Sequence, residues 1–166
     1  MRCFGLLKND IFGFLRKKEI KYAQFNDPLG NFKIAYLENW KFDADMVVFD
    51  GGYSLSFSSP DSQSTFTIFV DAKIMPKSNL RGYASRELES PESGIYAKMR
   101  ETSFFGTQAY QSDYDYHSGN TPYFGGSVIF SGKKAIYRLS WCAPLKNRPA
   151  IENIFSAMKK SLIVTL

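Results

Sequence analysis

The residues with the clearest chemical potential lie in one short stretch, Asp113–His117. It contains the single histidine of the chain, His117, together with Asp113 and Asp115. If the stretch forms a strand, these three side chains share one face at intervals of about 7 Å. Carboxylate and imidazole groups bind divalent metals, but the first and third would lie about 14 Å apart on a flat strand. We therefore interpret them as a solvent-exposed strand face and predict no metal site.

The sequence contains no recognisable catalytic motif. No G-x-S-x-G nucleophile elbow is present. The Gly-Gly pairs at 51 and 125 lack the lysine or helix start of a phosphate-binding loop. Cys3 and Cys142 are far apart and form no metal-binding pattern. From the absence of these motifs we predict a protein that has no cofactor and is not an enzyme. Acid–base catalysis by carboxylates that pair in space leaves no sequence pattern.

Positive charge concentrates in the last third of the chain. The whole chain has a net charge of +5, too small an excess to predict nucleic-acid binding. Against the single acid Glu152, the closing third carries these basic residues: Lys133, Lys134, Arg138, Lys146, Arg148, Lys159 and Lys160. Such a set favours an acidic protein partner, since complementary charge steers association. A scattered, solvated face is the alternative interpretation.

The same third predicts a strand followed by a helix. Four apolar residues alternate on one strand face: Ala135, Tyr137, Leu139 and Trp141. Five more form one stripe at helical spacing: Ile151, Ile154, Phe155, Met158 and Leu162. We expect the strand and the helix to close one core, with Trp141 and Phe155 buried together.

The upstream chain supplies more strands and one further helix. Alternation predicts strands through Phe32–Tyr36, Tyr53–Phe57 and Phe66–Val70, while Leu80–Leu88 has helical spacing. A three-strand meander is predicted over Thr107–His117, Pro122–Phe130 and Lys134–Cys142. The expected class is therefore α+β, an antiparallel sheet flanked by helices.

Residues 1–166 are predicted to form one domain, with a sheet-and-helix core over 26–164. Residues 3–18 predict an additional amphipathic helix with a basic end. Such a helix either packs on the domain or on a second copy, or lies on a membrane surface. We find no secretory signal and no apolar run that would span a membrane, so we expect a cytoplasmic protein.

The order of these elements resembles the PsbP-like family, which includes photosystem II extrinsic subunits, bacterial DcrB-type proteins and a Ran-binding protein. The segment Phe32–Trp40 is similar to the family's strand entering a YPxxW turn, with Leu37 in place of the usual proline. The serine-rich strand before Pro60, Gly106–Tyr110 and Lys134–Leu139 extend the likeness. The resemblance covers residues 26–164 and implies an α/β/α sandwich. Since its members bind unrelated partners, it implies little about function.

The leading hypothesis is a non-catalytic protein-interaction module whose partner is unknown, either an acidic protein or a second copy. The first alternative is a peripheral membrane or lipid-associated protein that uses the helix predicted over residues 3–18. The second is a small-ligand-binding protein or hydrolase with a pocket between sheet and helix.

Overall fold

The computed structural model describes most of the chain: residues 20–43, 47–49, 51–72, 79–89 and 97–164. The helix predicted over residues 3–18 lies outside the described residues. In chain order the elements are β1 (Tyr22–Asn26), β2 (Phe32–Leu37), β3 (Lys41–Phe42), β4 (Val47–Phe49), β5 (Gly52–Ser58), β6 (Thr65–Asp71), α1 (Leu80–Leu88), β7 (Arg100–Phe104), β8 (Thr107–Ser118), β9 (Thr121–Ser131), β10 (Ile136–Pro144), α2 (Arg148–Ser161) and β11 (Ile163–Val164). A 3-10 turn, Leu145–Asn147, joins β10 to α2.

An antiparallel sheet of eight strands, which we call the main sheet, forms the centre of the described structure. Its strand order is β3-β5-β6-β10-β9-β8-β7, and β4 pairs with β5. The predicted meander is confirmed as β8, β9 and β10. The tight turn between β8 and β9 contains Gly119 with a φ of +58°, a conformation that glycine adopts without strain.

A second sheet of three strands corrects the expectation of one continuous sheet. Its order is β1-β2-β11, so the strand predicted from Phe32 does not belong to the main sheet. Alternation predicts a strand and its two faces, but it contains no information about which strand lies beside it. The short strands β1 and β11 carry too few alternating apolar residues to be predicted.

The larger core lies between the main sheet and a layer made of α2 and the small sheet. Trp141 is 7% exposed and Phe155 is 1% exposed, and both belong to this core, which confirms that they are buried together. The Phe155 ring packs against Trp40 and Phe66, each at a centroid distance of 6.0 Å. The predicted stripe supplies these core residues: Ile151, Ile154, Phe155, Met158 and Leu162.

The other face of the main sheet is covered in part by α1. The helix buries Leu80, Ala84 and Leu88 against the sheet in a second, smaller core. Helices therefore lie on both faces of the main sheet, as the predicted class requires. Beyond α1 this face carries short hydroxyl side chains that bond across strands, such as Ser127 and Ser140 at 2.8 Å.

A buried carboxylate fixes the loop between β1 and β2. Asp27 is 5% exposed and accepts hydrogen bonds from the backbone N–H of Leu29 and of Asn31. It also accepts a bond of 2.6 Å from the Tyr53 hydroxyl, which in turn accepts one from the Asn31 side chain. The Tyr137 hydroxyl donates to the Asn31 carbonyl at 3.0 Å. These bonds tie the loop to β5 and β10, so we call them the Asp27 network.

Candidate functional site

Four of the seven predicted basic residues lie at the two ends of β10. Lys133 and Lys134 are exposed in the turn that precedes this strand, whereas Lys146 and Arg148 follow its last residue. A strand of nine residues spans about 30 Å, so these two pairs are well separated. Lys160 is exposed near the end of α2.

Two further members of the set lie on opposite faces of the main sheet. Arg138 lies on the α1 face, where its guanidinium is 3.9 Å from the centre of the Phe69 ring and pairs with Glu87. Lys159 lies on the α2 face, with its ammonium 4.0 Å from the centre of the Trp141 ring. No single surface can therefore contain all seven residues. Binding of an acidic partner by part of the set stays a prediction.

Arg148 lines a cleft of about 200 Å³ at the junction of α2 with strands β8, β9 and β10, and Lys159 lies over the Trp141 ring that forms part of its wall. We call it the charged cleft. It is lined by Asp113, Tyr114, Asp115, Phe124, Gly125, Trp141, Arg148 and Glu152.

Strand register brings the carboxylates to this cleft. Asp113 pairs with Gly126 of β9, and Gly126 pairs with Trp141 of β10, so the three positions lie side by side. Asp115 lies two residues further on the same face. The prediction that the face of Asp113, Asp115 and His117 is solvent-exposed is confirmed. His117 is not among the lining residues.

Arg148 makes the densest set of contacts in the cleft. Its Nε donates to Glu152 Oε1 at 2.7 Å, and its Nη1 lies 3.9 Å from Asp115 Oδ1. Its guanidinium is 5.1 Å from the centre of the Phe124 ring. The hydrogen bond to Glu152 raises the pKa of Arg148, so the group keeps its charge. Because the Arg148 side chain is still 47% exposed, a further ligand can reach it.

A second ion pair lies at the rim. Arg100 of β7 pairs with Asp113, which also accepts a hydrogen bond of 2.9 Å from the Gln111 amide. The two charged side chains are 59% and 51% exposed. Exposed pairs of this kind contribute about 0–1 kcal/mol to stability. They can therefore be exchanged for contacts with another molecule at little cost to the fold.

The floor of the cleft is closely packed. A Cβ on Gly126 would lie 2.6 Å from the Trp141 ring and 2.8 Å from an Asp113 carboxylate oxygen, so glycine is needed for the indole to approach the strand. Lys159 covers the indole, and its burial there lowers the pKa of its ammonium group. A closely packed aromatic floor thus lies beneath an exposed, charged rim.

The surroundings of Asp113 and Asp115 bear on the prediction of no metal site. Among the described residues, no group of three or more His, Cys, Asp or Glu side chains is placed to hold a metal ion. Asp113 and Asp115 instead contact arginines.

Sequence reasoning identified part of this site and missed the rest. Arg148 was named among the basic residues, but its i,i+4 pairing with Glu152 depends on α2 starting at Arg148, before the predicted stripe. Arg100 was missed because it lies in β7, a strand with too few alternating apolar residues to be predicted. Its pairing with Asp113 depends on the neighbouring-strand register.

The chain has the PsbP-like fold, which confirms the resemblance found in the sequence. The solution structure of cyanobacterial PsbP (CyanoP) from Synechocystis sp. PCC 6803 is similar, with a TM-score of 0.63 and 10% identity over 88% of this chain and 94% of that one. PA94 of Pseudomonas aeruginosa, a protein of unknown function, gives a TM-score of 0.53 and 14% identity over 87% and 98%. At such identities the likeness shows the fold alone.

Sequence comparison adds no relative. No family model matches the chain, and no curated protein sequence matches it. Within the described residues, none of the helices has the length and apolar character needed to cross a lipid bilayer.

Proposed function

We propose that this protein is a non-catalytic interaction module that binds a partner protein at the charged cleft. The observation that supports this function is the half-exposed Arg148, which lies against Phe124 beside the floor formed by Trp141. Arginine and tryptophan are enriched among the residues that dominate binding energy in protein interfaces. An acidic side chain of the partner would take a place beside Arg148.

The chemistry of the cleft favours binding over catalysis. Its lining contains no histidine, cysteine or serine, so the lining groups that could act as a nucleophile or base are its carboxylates and one tyrosine. Its carboxylates each contact an arginine. At about 200 Å³ it is smaller than the roughly 300–1,000 Å³ of most small-molecule pockets. A small-ligand site or a hydrolase is therefore less well supported.

A pull-down with a matched control tests this function. The purified full-length chain, Arg148→Glu and Lys134→Glu are each used as bait in an extract of native cells. Both substitutions reverse one exposed positive charge, but Lys134 lies at the opposite end of β10. We expect a stoichiometric partner with the unmodified chain and with Lys134→Glu, and its loss with Arg148→Glu. Absence of any stoichiometric partner, or equal capture by all three baits, would contradict the proposal.

The membrane alternative has no support from the described residues, because it depends on residues 3–18. It stays a prediction, as does the cytoplasmic location.

A further inference from the structure

Strand β1 forms a free edge of the small sheet. It pairs with β2 alone in the sheet order. The Lys21 carbonyl accepts from the Glu38 N–H, and the Asp27 N–H donates to the Phe32 carbonyl. Hydrogen-bonded pairs alternate along an antiparallel ladder, so odd-numbered residues of β1 face β2. The N–H and C=O groups of Tyr22, Gln24 and Asn26 therefore point outward, with no partner strand among the described residues.

The opposite edge of the same sheet is β11, which is only two residues long. On the side of β2 away from β1, the backbone at Lys33 pairs with β11. The backbone at Ala35 on that side is close to a side chain hydroxyl. The Ser161 hydroxyl accepts from the Ala35 N–H at 2.9 Å and lies 3.2 Å from the Ala35 carbonyl. The outward groups of β2 at Lys33 and Ala35 thus have partners, and the two-residue strand β11 offers far less free edge than the five residues of β1.

Proteins usually protect free edges with charged residues, proline or bulges, because an unprotected edge pairs with another chain. One edge strand of the main sheet, β7, has such protection in Arg100 and Glu101. The sequence of β1, Tyr-Ala-Gln-Phe-Asn, contains no charged residue and no proline, and its register with β2 is unbroken.

Exposed apolar side chains flank this edge. Ile20 and Tyr22, at the start of β1, are 63% and 44% exposed, and Leu29, just past its end, is 59% exposed. Large apolar groups are rarely left in water without a binding role when they are clustered. Here they lie at both ends of a strand whose outward backbone groups have no partner strand among the described residues.

We propose that β1 pairs antiparallel with β1 of a second copy, which joins two small sheets into one sheet of six strands. A two-fold axis through Gln24 places Gln24 opposite its own copy and Tyr22 opposite Asn26, so every outward-pointing residue meets another. The antiparallel direction brings the start of one β1 to the end of the other, where Ile20 and Tyr22 approach Leu29. This match of one end with the other selects a second copy over an unrelated extended peptide. The interface lies outside the charged cleft and does not depend on the function proposed there.

Charge substitutions at the axis test this pairing in the full-length chain. Gln24 is exposed, so Gln24→Lys and Gln24→Glu leave the fold of one copy intact while placing like charges opposite each other. Sedimentation equilibrium should show a dimer for the unmodified chain. For each variant the association should be weaker by about fivefold or more. An equimolar mixture of the two variants should recover dimers, because Lys then faces Glu. Ser103→Lys, on the exposed edge of β7, should leave association unchanged.

Amide exchange gives an independent readout of the same geometry. In the dimer the N–H groups of Tyr22, Gln24 and Asn26 should gain protection as concentration rises, while those of Ala23 and Phe25 are protected throughout. A monomer at all concentrations would overturn the proposal, as would a dimer that Gln24→Lys does not weaken or a mixture that does not recover. Concentration-independent protection of the three outward amides would also overturn it, because the chain's own residues would then occupy the edge.

Discussion

Two groups of aspartates in this molecule have opposite environments. Asp27 is 5% exposed and accepts three hydrogen bonds within its loop and from Tyr53. The side chains of Asp113 and Asp115, in the charged cleft, are 51% and 67% exposed and face arginines. The residue type is the same, yet one site is committed to the fold and the other is accessible to a partner. Burial and the number of fixed donors decide the role of each carboxylate.

The energetic reason lies in desolvation. A buried carboxylate has lost its water, so removing it leaves its donors without partners and costs the fold several bonds at once. An exposed pair exchanges one set of contacts for water at almost no cost. The charged cleft can therefore change its ion pairs on binding, whereas the Asp27 network cannot.

The largest expected effect tests whether the aromatic floor of the charged cleft stabilises the fold or contributes as little as the exposed rim. Replacing Trp141 or Phe155 with alanine should each reduce the free energy of unfolding by about 3–5 kcal/mol, because a large buried ring leaves a cavity. Urea denaturation followed by fluorescence or circular dichroism measures this loss. Trp141→Phe, which retains most of the ring, should cost clearly less. If Trp141→Ala left the free energy of unfolding almost unchanged, the floor would stabilise the fold no more than the exposed rim does. That result would contradict the packing of α2.

The next effect tests the Asp27 network directly. Asp27→Ala removes the acceptor of three hydrogen bonds and leaves the buried Tyr53 hydroxyl with fewer partners. We expect a loss of about 3 kcal/mol in the free energy of unfolding. Asp115→Ala is the matched control, since it removes the same group from an exposed position. Equal losses for the two variants would break the comparison between the two sites.

Much of this fold could be predicted from sequence, because periodicity reports which face of an element is buried. The strands of the meander, β5, β6 and the stripe of α2 all follow from that signal. The division into two sheets could not be predicted, since β2 alternates in the same way whichever sheet contains it. The strands β1 and β7 are short or charged, so propensity gave no signal. The pairing of Arg100 with Asp113 depends on register, which a single sequence does not specify.

The pH dependence of the free energy of unfolding tests the Asp27 network with a substitution, Tyr53→Phe, that leaves the charge at neutral pH unchanged. Burial, together with the hydrogen bond to Asp27, raises the pKa of Tyr53 well above its usual value of about 10. As the pH rises past the usual value of about 10, the tyrosine ionises first in the unfolded chain. The folded state then holds more protons and loses stability. The free energy of unfolding should therefore fall above pH 10, and it should fall less steeply in Tyr53→Phe. An unchanged slope in that variant would show that Tyr53 ionises freely and that the network is open to solvent.

The smallest expected effect on stability is at the rim of the charged cleft. Glu152→Ala removes the 2.7 Å bond to Arg148, but both side chains are about half exposed. The free energy of unfolding should change by about 0.5 kcal/mol or less, and the change should shrink further as salt screens the pair. Denaturation at low and high ionic strength measures both quantities. A salt-independent loss of about 2 kcal/mol or more would mean that Arg148 and Glu152 support the fold, as Asp27 does. The guanidinium would then not be free to receive a partner's carboxylate, and the distinction between the two sites would no longer hold.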